Sequence, residues 1–155
     1  MLLLVRIQQW DQKTAKSEPL FAQLMTNLHE QIKDSRVSFE LVSERQHIYF
    51  YVHIPDELRE LIEGQIYAIY PGAVIEEQFS DYASADAVKG GTLVSTELRP
   101  RRTDIYPWKR HDEFERDSLA GLFTVLSKAG EGQQLWSQIT VEARQDNFGF
   151  NVRRT

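Results

Sequence analysis

The chain has 155 residues and contains no cysteine. That absence excludes disulfide bonds, thiolate zinc sites and thiol nucleophiles, and it fits a reducing compartment. Long apolar runs are also lacking. The longest aliphatic run is LLLV at residues 2–5, whereas a membrane-spanning helix needs about 20 apolar residues. The start of the chain has no basic region and no small-residue cleavage site of a signal peptide. We therefore expect a cytoplasmic chain that does not insert into the membrane.

Nucleotide-binding motifs are absent from the sequence. A P-loop needs the pattern GxxxxGK[ST], because backbone N–H groups and a lysine must neutralise phosphate charge. The glycine-rich stretches at 89–92 and 130–132 have the wrong order and lead into predicted strands, so they are interpreted as turns. The second of them also fails the GxGxxG dinucleotide pattern, because Leu135 stands where the third glycine belongs. We expect no nucleotide cofactor.

Catalytic and metal-binding arrangements are lacking as well. The four histidines form no HExxH motif, and no GxSxG motif marks a serine nucleophile. His47 and His53 share one face of a predicted strand, but about 20 Å of strand separates them, too far for one metal ion. Glu76 and Glu77 are neighbours on a strand and point to opposite faces, so they are interpreted as surface charges. The sequence predicts no enzyme, no metal site and no cofactor.

The composition is that of a globular protein, with 41% hydrophobic and 26% charged residues. The net charge of −5 is unevenly distributed. Residues 1–90 carry 8 Lys/Arg and 14 Asp/Glu, whereas residues 91–155 carry 10 and 9. An acidic chain is a poor general nucleic-acid binder.

Hydrophobic periodicity indicates an α+β fold. Alternating runs predict strands at 2–10, 37–42, 47–54 and 74–82, and the short polar stretch at 43–46 predicts a hairpin. Apolar residues at helical spacing predict two helices, the first with Leu20, Phe21, Leu24, Leu28 and Ile32 and the second with Leu58, Leu61, Ile62, Ile66 and Ile69. Ser17 and Asp56 are the predicted caps. The order βαββαβ predicts a ferredoxin-like split βαβ sheet over residues 1–83.

Small and turn-forming residues at 84–91 predict a linker. Beyond it, residues 92–155 predict an additional strand, helix, strand unit that packs on the first subdomain or completes its sheet. Its strands are predicted at 92–99 and 134–144, and its helix at 117–129 with Leu119, Leu122, Phe123 and Leu126 buried.

Tyr49 and Tyr51 form the first candidate interaction site. Aromatic residues on the open face of such a sheet stack bases in RNA-recognition modules. The segment lacks the Arg/Lys-Gly-aromatic-Gly pattern, and its half of the chain is acidic. We therefore favour a face covered by protein over a face that stacks RNA.

The segment at 99–111 is the second candidate. Its cations and aromatic residues suit phosphate contacts and base stacking. Alternatively, its two prolines enforce an extended connection, in which the cations are solvated and the aromatic residues are held on the core. We favour the extended connection. The candidate residues are Arg99, Arg101, Arg102, Tyr106, Trp108, Lys109 and Arg110.

Several runs together resemble a known class of protein. They are VSFELVS at 37–43, IYFYVHIP at 48–55, EGQIYAIYP at 63–71, IYPWK at 105–109, DSLAGL at 117–122 and GQQLWSQ at 132–138. They are similar to the region that precedes the motor in bacterial ATPases of the type IV secretion and HerA/FtsK-like translocase class. The likeness spans nearly the whole chain and rests on scaffold residues, so no catalytic residue is carried over.

The resemblance implies a non-catalytic accessory or assembly domain that mediates protein contacts. Its expected partners are a motor domain, ring neighbours or secretion-channel components, at the cytoplasmic face of the inner membrane through a parent protein. The alternative is a nucleic-acid-binding module that uses Tyr49 and Tyr51 or the basic segment at 99–110.

Overall fold

The computed structural model describes residues 1–7, 24–28, 32, 35–84, 86–98 and 119–142. Within them lie five strands, β1 (Leu2–Ile7), β2 (Arg36–Glu44), β3 (His47–His53), β4 (Ala73–Gln78) and β5 (Gln134–Glu142). Residues 24–28 are helical and are labelled α1, α2 spans Arg59–Ile69, and α3 spans Ala120–Leu126. A turn of 3-10 helix, Asp56–Leu58, leads into α2.

The strands form one five-stranded sheet in the order β4-β1-β3-β2-β5. Every neighbouring pair is antiparallel. The predicted α+β class is therefore confirmed. β5 is the last of these strands in the chain and pairs with β2 over nine residues, so the sheet extends beyond the four strands predicted for residues 1–83.

The main core lies on one side of this sheet, and helical residues contribute to it. Alternate strand residues such as Leu3, Val52 and Val37 are completely buried. α1 adds Leu24 and Leu28 to the same cluster, α2 adds Ile62 and Ile66, and Ile32 belongs to it as well. Each fully buried aliphatic side chain contributes about 1.5–3 kcal/mol. The predicted stripes of the first two helices are confirmed where the structure describes them.

Arg59 connects α2 to β4. Its guanidinium donates to Glu63 Oε1 at 2.9 Å and to Glu77 Oε2 at 2.6 Å, and both hydrogen bonds raise the pKa of Arg59. Glu76, the residue before Glu77, instead accepts a hydrogen bond from Arg6 on β1. Glu76 and Glu77 thus lie on opposite faces of the sheet, as predicted.

The hairpin of β2 and β3 closes through two residues, Arg45 and Gln46, because Glu44 lies opposite His47. Both turn residues have positive φ, 49° and 63°. Positive φ at both central positions is typical of a type I′ turn, whose twist matches that of the flanking strands. For a residue with a Cβ atom that conformation costs about 1–2 kcal/mol. The predicted hairpin is confirmed, with some local strain in its turn.

Replacing Gln46 by glycine is expected to stabilise the fold by about 0.5–1 kcal/mol, because glycine adopts positive φ without the Cβ penalty. The urea midpoint of unfolding measures this gain. Gln46→Ala is the matched control, since alanine keeps the Cβ atom and should give no gain. Equal midpoints for the glycine and alanine variants would contradict the expected relief of strain.

Four local predictions are wrong in the part of the chain that the structure describes. Residues 92–98 form no strand, and β4 ends at Gln78 rather than at residue 82. Asp56 does not cap α2, because it lies within the 3-10 turn. On α3 only Leu126 of the predicted stripe is buried, while Leu119 and Phe123 are exposed. Gly90 and Gly132 do occupy turns, with φ of 82° and 73°.

The chain divides into two compact units. One comprises Met1–Phe79 and Leu119–Arg144, and the other comprises Ser80–Ser118 and Gln145–Thr155. The division into residues 1–83, a linker at 84–91 and residues 92–155 stays a prediction. Because β5 pairs with β2, the predicted subdomain at residues 92–155 contributes a strand to the sheet of the predicted subdomain at residues 1–83.

Candidate functional site

The sheet face opposite the main core carries a row of ring side chains on β3, and we call it the aromatic face. His47, Tyr49 and Tyr51 alternate with core-facing residues along the strand. The ring centroids of His47 and Tyr49 are 6.3 Å apart, and those of Tyr49 and Tyr51 are 6.1 Å apart. These separations are within the range of favourable aromatic contacts. The structure therefore brings the two predicted tyrosines together on one face.

The centre of the aromatic face is apolar and buried. Leu4 lies opposite Tyr51, and Val42 lies opposite Tyr49. The exposed fractions are 6% for Leu4, 1% for Val42 and 4% for the neighbouring Leu2. Tyr49 and Tyr51 themselves are only partly buried. Base stacking needs accessible ring faces, so buried neighbours limit what this surface offers to a nucleic acid.

Trp136 of β5 belongs to the same face and was missed by sequence reasoning. It lies opposite Val42, which in turn lies opposite Tyr49. Its indole Nε1 donates to Gln134 Oε1 at 3.1 Å. A strand was predicted over residues 134–144, but its neighbour in the sheet was not. Only the pairing with β2 places the tryptophan on this face.

The charges of the aromatic face are mixed. Glu40 lies between Tyr51 and Gln138 in the register and is 5% exposed. Arg36 and Glu142 form an ion pair of 3.5 Å across β2 and β5, and Arg6 bonds to Glu76. Both arginines on the described part of this face therefore lie beside a carboxylate. The phosphates of a nucleic acid bind to cations that are available to them. Because these two arginines already have anionic neighbours, they are less available to a phosphate.

The pKa of Tyr51 is raised above its usual value of 10.0, first by burial and then by Tyr49 and Glu44. Burial also raises the pKa of Tyr70. A raised phenol pKa means that the folded state keeps a proton that the unfolded chain loses. The contribution to stability is therefore fully present below pH 10 and is lost as the pH rises through the folded-state pKa.

We expect the free energy of unfolding to fall above pH 10, and Tyr51→Phe to reduce that fall because the late-ionising phenol is gone. Absorbance titration of tyrosinate together with urea unfolding between pH 9 and 12 measures both effects. Tyr67→Phe, which removes an exposed phenol from α2, is the matched control. The same loss of stability in wild type and Tyr51→Phe would show that the phenol of Tyr51 has no such role.

A polar groove lies at one end of the aromatic face, with a volume of about 790 Å³. Its lining includes Ser38, Glu40, His53, Gln138 and Thr140. Ser38 and His53 lie opposite each other on β2 and β3, but no hydrogen bond joins these two described residues. This geometry lacks the hydrogen bond by which a histidine base activates a serine.

Residues 92–98, with the sequence TLVSTEL, form the second surface of interest. All seven are exposed, including Leu93 at 62%, Val94 at 86% and Leu98 at 94%. The structure gives them neither helix nor strand. Several exposed apolar side chains within one short segment are typical of a segment that binds another surface.

The other predicted site residues lie outside the described residues. They are Arg99, Arg101, Arg102, Tyr106, Trp108, Lys109 and Arg110. Among the residues that the structure does describe, no group of three potential metal ligands occurs. No helix in the same ranges is long and apolar enough to cross a membrane.

The fold and this surface define an α+β protein in which an antiparallel sheet has its main core on one side and aromatic side chains on the other. Within that class, the chain belongs to the family DUF8128, a domain of unknown function, whose model matches residues 10–146. No curated protein and no solved structure matches the chain significantly.

Proposed function

We propose that this chain is a non-catalytic accessory or assembly domain of a bacterial type IV secretion or DNA-translocation ATPase, and that it acts by binding protein. The observation that carries the proposal is the exposure of Leu93, Val94 and Leu98 within one short segment. Exposed apolar side chains are suited to protein partners, whereas nucleic acids are bound mainly through cations. The expected partners are the motor domain, ring neighbours or secretion-channel components.

The runs that resemble translocation ATPases support this assignment through their place in the fold. VSFELVS lies within β2, IYFYVHIP covers most of β3, and GQQLWSQ leads into β5. These three strands are adjacent in the sheet. A resemblance carried by framework residues fits a domain that shares its scaffold, rather than its chemistry, with that class.

We also propose that the sheet is a ferredoxin-like split βαβ sheet extended by β5. The order β4-β1-β3-β2 with antiparallel neighbours supports this arrangement, as do a helical segment between β1 and β2 and α2 between β3 and β4. Through a parent protein, such a domain would lie at the cytoplasmic face of the inner membrane.

The gene that encodes this sequence tests the proposed parent class. We expect the same gene or an adjacent one to encode a GxxxxGK[ST] motif followed by a motor domain. The motif should occur in the genes of other DUF8128 members in the same relative position. Genes that carry this family beside no such ATPase would overturn the assignment.

A nucleic-acid-binding module remains the second candidate, because the rings of Tyr49 and Tyr51 lie side by side on one face. Under the leading proposal we expect no micromolar binding of single-stranded RNA at low salt. Fluorescence anisotropy of a labelled oligonucleotide tests this with wild type and the Tyr49→Ala/Tyr51→Ala variant, and Tyr67→Ala serves as control. Micromolar binding that weakens steeply with salt and is lost in the double variant would favour the second candidate.

A further inference from the structure

The polar groove at one end of the aromatic face has a buried floor and an exposed rim. Ser38 and Glu40 of β2 form the floor and are 8% and 5% exposed. His53, Gln138 and Thr140 also line the groove and are exposed. Its volume of about 790 Å³ is within the range of small-ligand sites, about 300–1,000 Å³. A ligand in this groove would reach polar groups that are largely shielded from bulk water.

Three adjacent strands build the floor of the groove. β2 lies between β3 and β5, and Ser38 lies opposite His53 on one side and Thr140 on the other. Glu40 is two residues further along the same face of β2, so about 7 Å separates the two positions. Because the pairing of β2 with both neighbours fixes the register, these side chains keep a constant spacing. Sites built on strands hold their groups more precisely than sites built on loops.

The hydroxyl of Ser38 is available to a ligand. It forms no hydrogen bond with any residue that the structure describes, although the residue is more than nine-tenths buried. Buried side-chain hydroxyls usually have a hydrogen-bond partner, because an unpaired one loses its bonds to water without replacement. A polar ligand atom in the groove would supply that partner.

The charges of the groove indicate which ligand suits it. One arginine and two glutamates are among the described lining residues, so acidic side chains outnumber basic ones. Arg36 and Glu142 form an ion pair of 3.5 Å at the rim, which leaves Glu40 as the charged group of the floor. Glu40 already interacts with another residue of the chain. A carboxylate has about four acceptor positions, however, and can accept from a ligand as well. The groove therefore favours a cation.

An organic cation suits these groups better than a metal ion. Within the described part of the chain, no three potential metal ligands come together. A guanidinium group holds its N–H donors in one plane and in fixed directions, so it can donate to Glu40 and Ser38 together. A compact ammonium group is less suited to two acceptors about 7 Å apart. Pro55 in the lining offers an apolar contact for the aliphatic part of such a ligand.

We propose that this groove binds a guanidinium group, with Glu40 accepting a charge-assisted hydrogen bond and Ser38 accepting a second one. The group belongs either to a free arginine-like small molecule or to an arginine side chain of a protein partner. Both sources present the same chemistry to the floor of the groove. The site is independent of the proposed assembly role, because it depends neither on residues 92–98 nor on a translocation ATPase.

Titration of the isotope-labelled full chain with L-arginine, followed by amide NMR spectra at constant ionic strength, tests the site. We expect a dissociation constant of about 1 mM, as for other ligands of this size, with shifts at Ser38, Glu40 and their neighbours. L-citrulline is the matched control ligand, because it replaces the guanidinium by a neutral group of similar shape. It should bind at least about tenfold more weakly, and L-lysine about threefold more weakly.

Two variants test the roles of the floor residues. Glu40→Gln keeps the shape and removes the charge, so it should weaken arginine binding at least about tenfold. Glu44→Gln is the matched control on the same face of β2 but outside the groove lining, and it should leave the affinity unchanged. Ser38→Ala should weaken binding about three- to tenfold. Circular dichroism checks the fold of each variant, and the smaller Ser38→Ala change still tests the site if Glu40→Gln unfolds.

N-acetyl-L-arginine amide distinguishes the two sources of the guanidinium group. Its backbone is uncharged, as it is for an arginine within a protein. Binding as tight as that of free arginine assigns the site to a side chain of a protein partner. Binding at least about tenfold weaker assigns it to a free amino-acid-like ligand whose terminal charges contribute. Either result supports a guanidinium site.

Four results would overturn the proposed site. They are no shift of the groove residues up to about 20 mM arginine, equal binding of arginine and citrulline, equal binding of arginine and lysine, and unchanged affinity in a folded Glu40→Gln or Ser38→Ala variant. Binding to a translocation motor is measured separately. A chain that binds the motor but no guanidinium ligand would refute this inference and leave the proposed function standing, and the converse result would do the opposite.

Discussion

Leu3→Ala is expected to lower the free energy of unfolding by about 3–4 kcal/mol. Leu3 is completely buried on β1 and belongs to the core cluster that both helical segments share. Truncation there removes apolar contacts and leaves a cavity, because neighbouring strands and helices prevent the site from collapsing. Urea unfolding followed by circular dichroism measures the loss.

Ile7→Ala is the matched control for this substitution. Ile7 lies on the same strand and the same face, but it is 41% exposed at the strand end. Its truncation should cost less than about 1.5 kcal/mol, since less apolar surface returns to water. Equal losses at positions 3 and 7 would mean that the core does not centre on β1.

Removing α3 and β5 is expected to have a still larger effect. β5 covers the edge of β2 along its full nine residues. Val37 and Val42 of β2, which point to opposite faces, are 0% and 1% exposed in its presence. A chain ending at residue 118 would return these side chains and a row of backbone groups to water. The loss should be about 5 kcal/mol or more, comparable with the whole stability of a small domain.

The matched comparison is a chain that ends at residue 142 and so keeps β5. We expect it to unfold cooperatively, whereas the chain ending at residue 118 should show no cooperative transition or should aggregate through the edge of β2. Differential scanning calorimetry distinguishes these outcomes. Identical transitions for the two truncated chains would show that the sheet is complete without β5, and would favour a self-standing subdomain at residues 1–83.

Local features of the fold were predictable because their signals lie within a few residues. The alternation in β2 and β3 and the short polar stretch between them were sufficient for the hairpin. The spacing of Leu24, Leu28 and Ile32 was sufficient for one face of the first helical segment, and all three are buried. The opposite directions of Glu76 and Glu77 followed from the period of two in a strand.

Features that depend on distant partners were not predictable in the same way. The pairing of β5 with β2 joins residues that are far apart in the chain, and no pattern within either strand specifies the other. Trp136 was therefore missed as a member of the aromatic face. Residues 92–98 were predicted as a strand from composition alone, but propensity does not supply the neighbour that a strand requires. Sequence reasoning found Tyr49 and Tyr51 and favoured a covered face around them, and the sheet then identified Leu4 and Val42 as their buried neighbours.

Binding of this chain to the motor domain of the translocation ATPase that we propose as its parent protein is the most direct test of the proposed role. Isothermal titration calorimetry of the two purified proteins, with and without nucleotide, measures it. We expect a complex with a dissociation constant of about 1–10 µM and no nucleotide binding by this chain alone. No heat of binding at concentrations up to about 1 mM, together with tight binding of single-stranded nucleic acid by the same preparation, would contradict a protein-binding assembly domain.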